Sequence, residues 1–372
     1  MSIVGAEIGI VRTQYFHSTR PLVLDSGSVL SELVLAYETY GVLNAARDNA
    51  ILVLHALSGD AHAAGRHSPD QKHPGWWDEM IGPGKAFDTN HYFVICSNVI
   101  GGCKGSSGPL SLNPDTQSPW QADFPIVTIH DMVAAQIHLV DALGIEQLAA
   151  VAGGSMGGFQ ALAWMTYYPN RVRKAILLAT SAAHTAHAIA WNAIGRHAIM
   201  SDPRWCNGFY HADSPPHDGL AIARMIGHIT YLSDASLAQR FEQRYQYASV
   251  PSYTLADEFA VESYLTYQAK KFNMRFDANS YLYITKAMDY WNVAQPGQTL
   301  ADALAGWQGQ TLIISFDSDT LYPTSESLLI ATALTENKTP VVFYELHSNA
   351  GHDAFLLESE AQTPLITAFL QN

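Results

Sequence analysis

The chain has 372 residues, 48% of them hydrophobic and 15% charged, and a formal net charge of −14. This composition is typical of a compact globular protein and excludes disorder over long stretches. The negative charge argues against a nucleic acid or an anionic membrane as a partner, because both attract basic protein surfaces. An anionic ligand would therefore need a local basic pocket.

The cysteines and the N-terminus predict a cytoplasmic protein with reduced thiols. Cys96, Cys103 and Cys206 are an odd number and lack the spacing of a zinc site, so we expect no bound metal. The first seven residues lack the basic and then apolar pattern of a secretory signal. No apolar run reaches the length of a membrane span, and we expect no membrane partner.

The first half of the chain predicts buried strands followed by loops of small residues. Strands are predicted over residues 31–39, 50–57 and 92–99, and a helix over 124–143 that Thr128 could cap. The loop at 55–60 lies where an open parallel sheet places ligands, although a plain loop is the alternative. Residues 100–109 are rich in glycine and serine and could cradle a phosphate through backbone N–H groups, although they lack the spacing of a Walker motif. A packed loop that borders the active site is the alternative.

Residues 149–165 predict a strand, a tight turn and a helix, with Ser155 at the turn. The pentapeptide Gly153-Gly154-Ser155-Met156-Gly157 fits the pattern G-x-S-x-G of a nucleophile elbow, in which glycines let the strand and the helix approach closely. A glycine-rich turn without catalytic function is the alternative reading. We interpret Ser155 as a nucleophile because of the residues that follow in the chain.

The pattern changes after the strand predicted over residues 174–182. From 183 to about 296, aromatic residues, methionines and histidines recur at helical spacing, which predicts a helical insertion over the sheet. Arg224 and Tyr231 are seven residues apart and therefore lie on one face of a helix. A lone arginine in an apolar helix is usually structural, but here it could bind the carboxylate of a substrate.

The last part of the chain supplies an acid and a base in the order that a serine nucleophile requires. A strand over residues 310–316 is followed by Asp317 and Asp319, then a helix over 325–334 and a strand over 340–346. His352 follows this last strand, and His347 is its nearest competitor. The order serine, acid, histidine is that of the α/β-hydrolases.

Six motifs, taken together, resemble the homoserine O-acyltransferase family of methionine biosynthesis, in the branch called homoserine O-acetyltransferase. The resemblance extends over residues 37–357. The motifs are HALSG (55–59), GWWD (75–78), NVIGGCKGSSGP (98–109), GSMGG (154–158), SDTLYP (318–323) and GHDAF (351–355).

The resemblance implies roles for single residues. Ser155 is the nucleophile, His352 the base and Asp319, rather than Asp317, the acid. The backbone N–H groups of Leu57 and Met156 form the oxyanion hole. In the acceptor site, Arg224 binds the homoserine carboxylate and Asp353 the amino group, with Tyr231 nearby.

We therefore expect an α/β-hydrolase fold with a mostly parallel central sheet, flanking helices and a helical lid. The core domain is predicted over residues 1–182 and 299–372, and the lid over 183–298. The expected activity is acetyl transfer from acetyl-CoA to L-homoserine, with both as small-molecule substrates and no permanently bound cofactor. A succinyl donor, a serine acceptor or an esterase activity is the alternative, and the resemblance implies a homodimer through the lid.

Overall fold

The computed structural model describes residues 7–372. Residues 1–6, on which the prediction of a missing secretory signal largely depends, lie outside this range. Eight strands form the main sheet: β1 Gln14–Ser18, β2 Leu33–Tyr40, β3 Ala50–Leu54, β4 Phe93–Ser97, β5 Ala150–Gly154, β6 Lys174–Leu178, β7 Gln310–Phe316 and β8 Val341–Leu346. The α-helices are α1 Ile129–Ala142, α2 Met156–Tyr167, α3 Ala186–Ser201, α4 His217–Tyr231, α5 Asp234–Phe241, α6 Ala260–Asn273, α7 Ala278–Asp289, α8 Leu300–Leu304, α9 Thr324–Glu336, α10 Ala354–Leu357 and α11 Ser359–Gln371.

The main sheet has the strand order β1-β2-β4-β3-β5-β6-β7-β8. Strand β2 pairs antiparallel with both β1 and β4, and all pairs from β4 to β8 are parallel. Connections in a parallel sheet must cross over its faces, which is why helices cover both sides. The prediction of a mostly parallel sheet with flanking helices is confirmed.

The central strands are apolar along their whole length because both faces of the sheet are buried. In β3, Leu52 packs in the hydrophobic cluster on one face, while Ile51 and Val53 pack in the cluster on the other. All five residues of β3 and of β5 are buried. The carboxyl ends of these parallel strands meet at one edge of the sheet, where the candidate site lies.

Helices α3–α7, called the lid below, lie between β6 and β7 in the chain. The two ends of the lid meet at a short antiparallel bridge between Ala183 and Asn292. There, His184 N–H donates to the Trp291 carbonyl at 3.0 Å and Val293 N–H to the Ala182 carbonyl at 2.8 Å. A helical insertion is therefore present, and the domain limits at residues 183 and 298 stay a prediction.

Two local differences from the predictions have clear physical reasons. Helix α1 begins at Ile129 rather than at residue 124, because Thr128 caps it: the Thr128 hydroxyl accepts from Asp131 N–H, and the Asp131 carboxylate accepts from Thr128 N–H. Strand β1 was not predicted, because it is a short and mostly exposed edge strand. Within residues 7–372, no helix has the length and apolar character needed to cross a membrane.

Candidate active site

Ser155 lies at the sharp turn between β5 and α2. Its φ of 56° and ψ of −124° are unusual for a residue with a side chain, and they indicate a strained nucleophile elbow. The glycines of the motif are required by close backbone contacts. A Cβ atom on Gly157 would lie 2.1 Å from the Leu54 carbonyl oxygen, and one on Gly153 would lie 2.5 Å from the backbone of Gly157.

Asp319 and His352 form a buried hydrogen-bonded pair. The His352 Nδ1 atom lies 2.7 Å from Asp319 Oδ2, and the two side chains are 3% and 0% exposed. The other carboxylate oxygen, Oδ1, accepts from the N–H groups of Leu321 and Tyr322, each at 2.9 Å. The carboxylate therefore holds the ring with Nδ1 protonated and leaves Nε2 available as a base.

Asp317 and His347, the alternatives left open by the chain order, pair with each other at the surface. His347 Nδ1 lies 2.5 Å from Asp317 Oδ2, and the side chains are 83% and 38% exposed. Asp317 also accepts from Ser348 N–H at 3.0 Å. The structure thus brings Asp319, and not Asp317, to the buried histidine.

Ser155 and His352 line the same cavity of about 530 Å³ beneath the lid. Burial alone would lower the pKa of His352, but the charge and hydrogen bond of Asp319 raise it above the usual value for histidine, with a smaller contribution from Asp353. Hydrogen bonds within residues 7–372 do not include one between the Ser155 hydroxyl and the His352 ring. Such contacts often form only when substrate is bound.

Two backbone N–H groups near Ser155 have no hydrogen-bond acceptor within residues 7–372. No hydrogen bond within the described part of the chain engages the N–H of Leu57, and Met156 cannot donate within α2 because it is the first residue of that helix. Leu57 lines the cavity beside Ser155, and Met156 directly follows the serine. An oxyanion hole requires two such N–H groups beside the nucleophile, so the oxyanion role predicted for Leu57 and Met156 is compatible with this geometry and stays a prediction.

Three side chains hold the loop that carries Leu57, and the sequence analysis assigned this role to none of them. The His55 ring accepts from Val99 N–H at 3.1 Å and donates through Nδ1 to the Ala56 carbonyl at 2.8 Å. Arg275, from the lid, donates to the Ser58 carbonyl at 2.9 Å. The Gln160 amide donates to the His55 carbonyl at 3.1 Å. The only signal for Gln160 in the sequence is a polar residue within an otherwise apolar helix.

The predicted acceptor residues line the same cavity. Arg224 has a buried Nε without a hydrogen-bond partner, and no carboxylate within residues 7–372 lies at ion-pair distance from it. Its guanidinium lies over the rings of Phe272 and Tyr231, at 4.7 and 5.8 Å from their centroids. Asp353 also lines the cavity, and burial raises its pKa although His352 and Arg224 lower it.

A cluster of Glu38, His62 and His67 has side chains of the type that bind metals, but its contacts are those of a hydrogen-bonded set. Glu38 Oε1 lies 2.6 Å from His67 Nε2, and Oε2 lies 2.9 Å from His62 Nδ1. Each oxygen also accepts from a hydroxyl, of Thr13 at 2.8 Å or Tyr40 at 3.0 Å. We assign this cluster a structural role, since its carboxylate is fully satisfied.

The loop at residues 100–109 is packed against β2 and does not line the cavity. The Ser106 hydroxyl accepts from Ala36 N–H at 3.0 Å and donates to the Asn98 carbonyl at 2.6 Å. The Ser107 hydroxyl accepts from Val34 N–H at 2.9 Å. The backbone of the loop is engaged as well, since Ser107 N–H donates to the Val34 carbonyl at 2.9 Å. These contacts favour the packed loop over the phosphate cradle.

Comparison with known proteins identifies the family. The alpha/beta hydrolase fold family matches residues 49–359. A homoserine O-acetyltransferase of Methanohalobium evestigatum is 54% identical over 98% of this chain and 74% of its own length, and one of Leptospira biflexa is 53% identical over 98% and 94%.

Solved structures with the same fold include a homoserine O-acetyltransferase and an esterase. The homoserine O-acetyltransferase of Bacillus anthracis has a TM-score of 0.92 at 29% identity and covers 98% of both chains. Esterase E22 has a TM-score of 0.90 at 31% identity and covers 97% of this chain and 100% of its own. The chain belongs to the homoserine O-acetyltransferase family of the alpha/beta hydrolase fold.

Proposed function

We propose that the protein is a homoserine O-acetyltransferase that transfers an acetyl group from acetyl-CoA to the side-chain hydroxyl of L-homoserine, a step of methionine biosynthesis. The observation that carries the proposal is the position of Arg224, which has no ion-pair partner within residues 7–372 and lines the cavity that also holds Ser155, His352 and Asp353. Homoserine is a zwitterion, and burial of both charges requires an opposite charge for each. Arg224 and Asp353 offer that pair.

In the first half-reaction, the Ser155 oxygen attacks the thioester carbonyl of acetyl-CoA. His352 Nε2 takes the hydroxyl proton, and the N–H groups of Leu57 and Met156 stabilise the negative oxygen of the tetrahedral intermediate. The C–S bond then breaks, and His352 returns the proton to the departing thiolate. The products are free CoA and an acetyl ester on Ser155.

In the second half-reaction, homoserine binds with its carboxylate at Arg224 and its ammonium group at Asp353. His352 takes the proton from the homoserine hydroxyl, whose oxygen attacks the acetyl ester. The ester bond to Ser155 breaks, and the serine oxygen regains the proton from His352. The lid favours transfer over hydrolysis because it limits the access of water to the acyl-enzyme.

An esterase activity is the second candidate, and the similarity to esterase E22 is the observation that favours it. A simple esterase has no use for a charged pair that binds a zwitterion. Donor and acceptor are tested together by incubating the protein with acetyl-CoA or succinyl-CoA and with homoserine or serine, while free thiol is measured. We expect the fastest release with acetyl-CoA and homoserine. Equal release with and without any acceptor would support the esterase.

The role of Arg224 is tested by separating the two half-reactions. We expect Arg224→Ala to raise the homoserine concentration required for half-maximal rate and to leave acetylation of Ser155 almost unchanged. Arg224→Lys should rescue only part of the loss, because an ammonium group cannot form the bidentate contact. Arg244→Ala is the matched control, since it removes an exposed arginine of the lid at the same cost in net charge. Loss of Ser155 acetylation in Arg224→Ala would assign the arginine to CoA or to the fold.

We also propose a cytoplasmic homodimer that associates through the lid. Apolar side chains of the lid that are strongly exposed in the single chain support this association, among them Tyr247 (86%), Tyr253 (91%) and Met274 (89%). Light scattering should give twice the mass of the chain for the wild type and a lower mass for Tyr253→Asp. A monomeric wild type would contradict the proposal.

A further inference from the structure

A chain of three buried side chains connects the helical core to the loop that carries Leu57. The Trp164 indole N–H donates to Gln136 Oε1 at 2.8 Å, and Gln136 Nε2 donates to Gln160 Oε1 at 2.8 Å. Gln160 Nε2 then donates to the His55 carbonyl at 3.1 Å, with a longer contact of 3.4 Å to the Met156 carbonyl. All three side chains are at most 1% exposed.

The direction of this chain is fixed at its start. An indole N–H can only donate, so Gln136 must turn its oxygen toward Trp164 and its NH₂ group toward Gln160. Gln160 must then accept with its oxygen, and its NH₂ group is left to face the His55 carbonyl. The orientation of both amides follows from chemistry that allows no alternative assignment.

The His55 carbonyl is a position from which the oxyanion hole can be controlled. It lies two residues before Leu57, one donor of the hole, while Gln160 lies one helical turn after Met156, the other donor. The hydrogen bond from Gln160 to His55 therefore ties the helix that carries one donor to the loop that carries the other. The His55 ring orients the peptide group between Ala56 and Leu57, because its Nδ1 donates to the Ala56 carbonyl. In a trans peptide the Leu57 N–H points opposite to that carbonyl.

We propose that Gln160, oriented by Gln136 and Trp164, is a positioning residue that fixes the separation of the two oxyanion donors. This inference rests on the part of the proposed function that assigns the oxyanion hole to Leu57 and Met156. Donors must lie within a few tenths of an ångström of the developing oxyanion to stabilise it fully. Loss of a hydrogen bond in this chain of side chains lets the loop that carries Leu57 move away from α2. The oxyanion hole then stabilises the transition state less.

The test uses the rate at which p-nitrophenyl acetate acylates Ser155, because this rate depends on the oxyanion hole and not on homoserine. Gln160→Met keeps the length of the side chain and removes the amide, and we expect acylation to slow by about ten- to a hundred-fold. In homoserine acetylation, kcat should fall while the KM for homoserine stays near the wild-type value. Trp164→Phe removes the N–H that orients the chain together with part of the buried ring system, and it should slow acylation by a smaller factor.

Trp307→Phe is the matched control. The Trp307 indole is also fully buried, and its N–H donates to Thr311 Oγ1 at 2.9 Å rather than to a group of the chain that reaches the Leu57 loop. If the chain of amides is merely structural, Trp164→Phe and Trp307→Phe will lower the thermal midpoint and leave acylation equally fast, which overturns the proposal. Slower acylation in Trp164→Phe alone supports it, even if Gln160→Met does not fold. The wild type could react with p-nitrophenyl acetate and fail to acetylate homoserine, and this result would contradict the proposed function. The acylation rates of Trp164→Phe and Trp307→Phe would still decide whether Gln160 is a positioning residue.

Discussion

Replacement of Asp319 by asparagine should leave His352 in the wrong tautomer. In the wild type, Oδ1 accepts from the N–H groups of Leu321 and Tyr322, and Oδ2 accepts from His352 Nδ1. An asparagine has one oxygen, and the two backbone donors will retain it, because an NH₂ group placed there would face two N–H groups. The NH₂ group must then point at His352 Nδ1, which can accept only if the proton lies on Nε2.

A proton on Nε2 would remove the base that the proposed mechanism assigns to His352. The same change in a well-studied serine protease triad lowers turnover by about 10⁴, which corresponds to about 5 kcal/mol of transition-state stabilisation. The cost in fold stability should be smaller, about 1–3 kcal/mol, because both backbone hydrogen bonds are kept and the charge-assisted bond to His352 is replaced by a neutral one. Asp319→Asn should therefore fold and be almost inactive.

The assay is steady-state acetyl transfer as a function of pH, with thermal unfolding as a check on folding. His352 must be neutral to act as a base, and its raised pKa means that activity is lost as the pH falls through a value above the usual one for histidine. Without the Asp319 charge this pKa falls, so the acid limb of the remaining activity should move to lower pH. Asp317→Asn is the control and should stay close to wild type, because it disturbs only a surface pair. Greater damage from Asp317→Asn, or an unchanged acid limb in Asp319→Asn, would refute the reasoning.

Three further predictions concern the elbow and the core. Ser155→Ala should abolish acetyl transfer and the acetyl adduct seen by mass spectrometry. The free energy of unfolding should be about 1 kcal/mol higher for Ser155→Gly than for Ser155→Ala, because glycine relieves the positive φ. Equal free energies of unfolding would show that the turn stores no strain. Gly157→Ala should lower the thermal midpoint strongly, because its Cβ would lie 2.1 Å from a backbone oxygen. Gly306→Ala is the control and should be almost neutral, because a Cβ there would have its nearest neighbouring atom at 4.0 Å. Similar midpoints for the two variants would contradict the packing argument. Burial alone would raise the pKa of Glu38, but hydrogen bonds from His62 and His67 lower it from 4.5 to about 2. The stability that Glu38 contributes to the fold is therefore complete above pH 4.5 and is lost as the pH falls toward 2. In urea unfolding, the free energy of unfolding of Glu38→Gln should depend less on pH over this range, and an unchanged dependence would show that Glu38 is not its source.

The sequence predicts those parts of the site that depend on chain order. Ser155, the acidic pair and His352 each follow a strand, and parallel strands bring their carboxyl ends to one edge. The predicted limits of β7 agree with the structure at both ends, because an apolar run bounded by polar residues marks a buried strand well. Arg224 and Tyr231 reach the same cavity since they lie two turns apart on α4.

Side-chain contacts between distant elements could not be predicted from the sequence. Gln136 and Gln160 lie on different helices, and only the packing of α1 against α2 brings their amides together. Arg275 bonds to a carbonyl more than two hundred residues away in the chain. Asp317 and Asp319 have the same chemistry and neighbouring positions, so their different environments arise from the turn of the loop, which no local pattern encodes.

The bridge between Ala183 and Asn292 also determines what the lid costs the rest of the fold. Because both ends of the lid are held side by side, the core experiences the whole insertion as one closed loop. The entropy of closing such a loop grows only with the logarithm of its length, and each doubling costs about 0.6 kcal/mol. A large lid therefore costs the core almost as little closure free energy as a small one. The size of the lid is then free to follow the dimensions of the substrate.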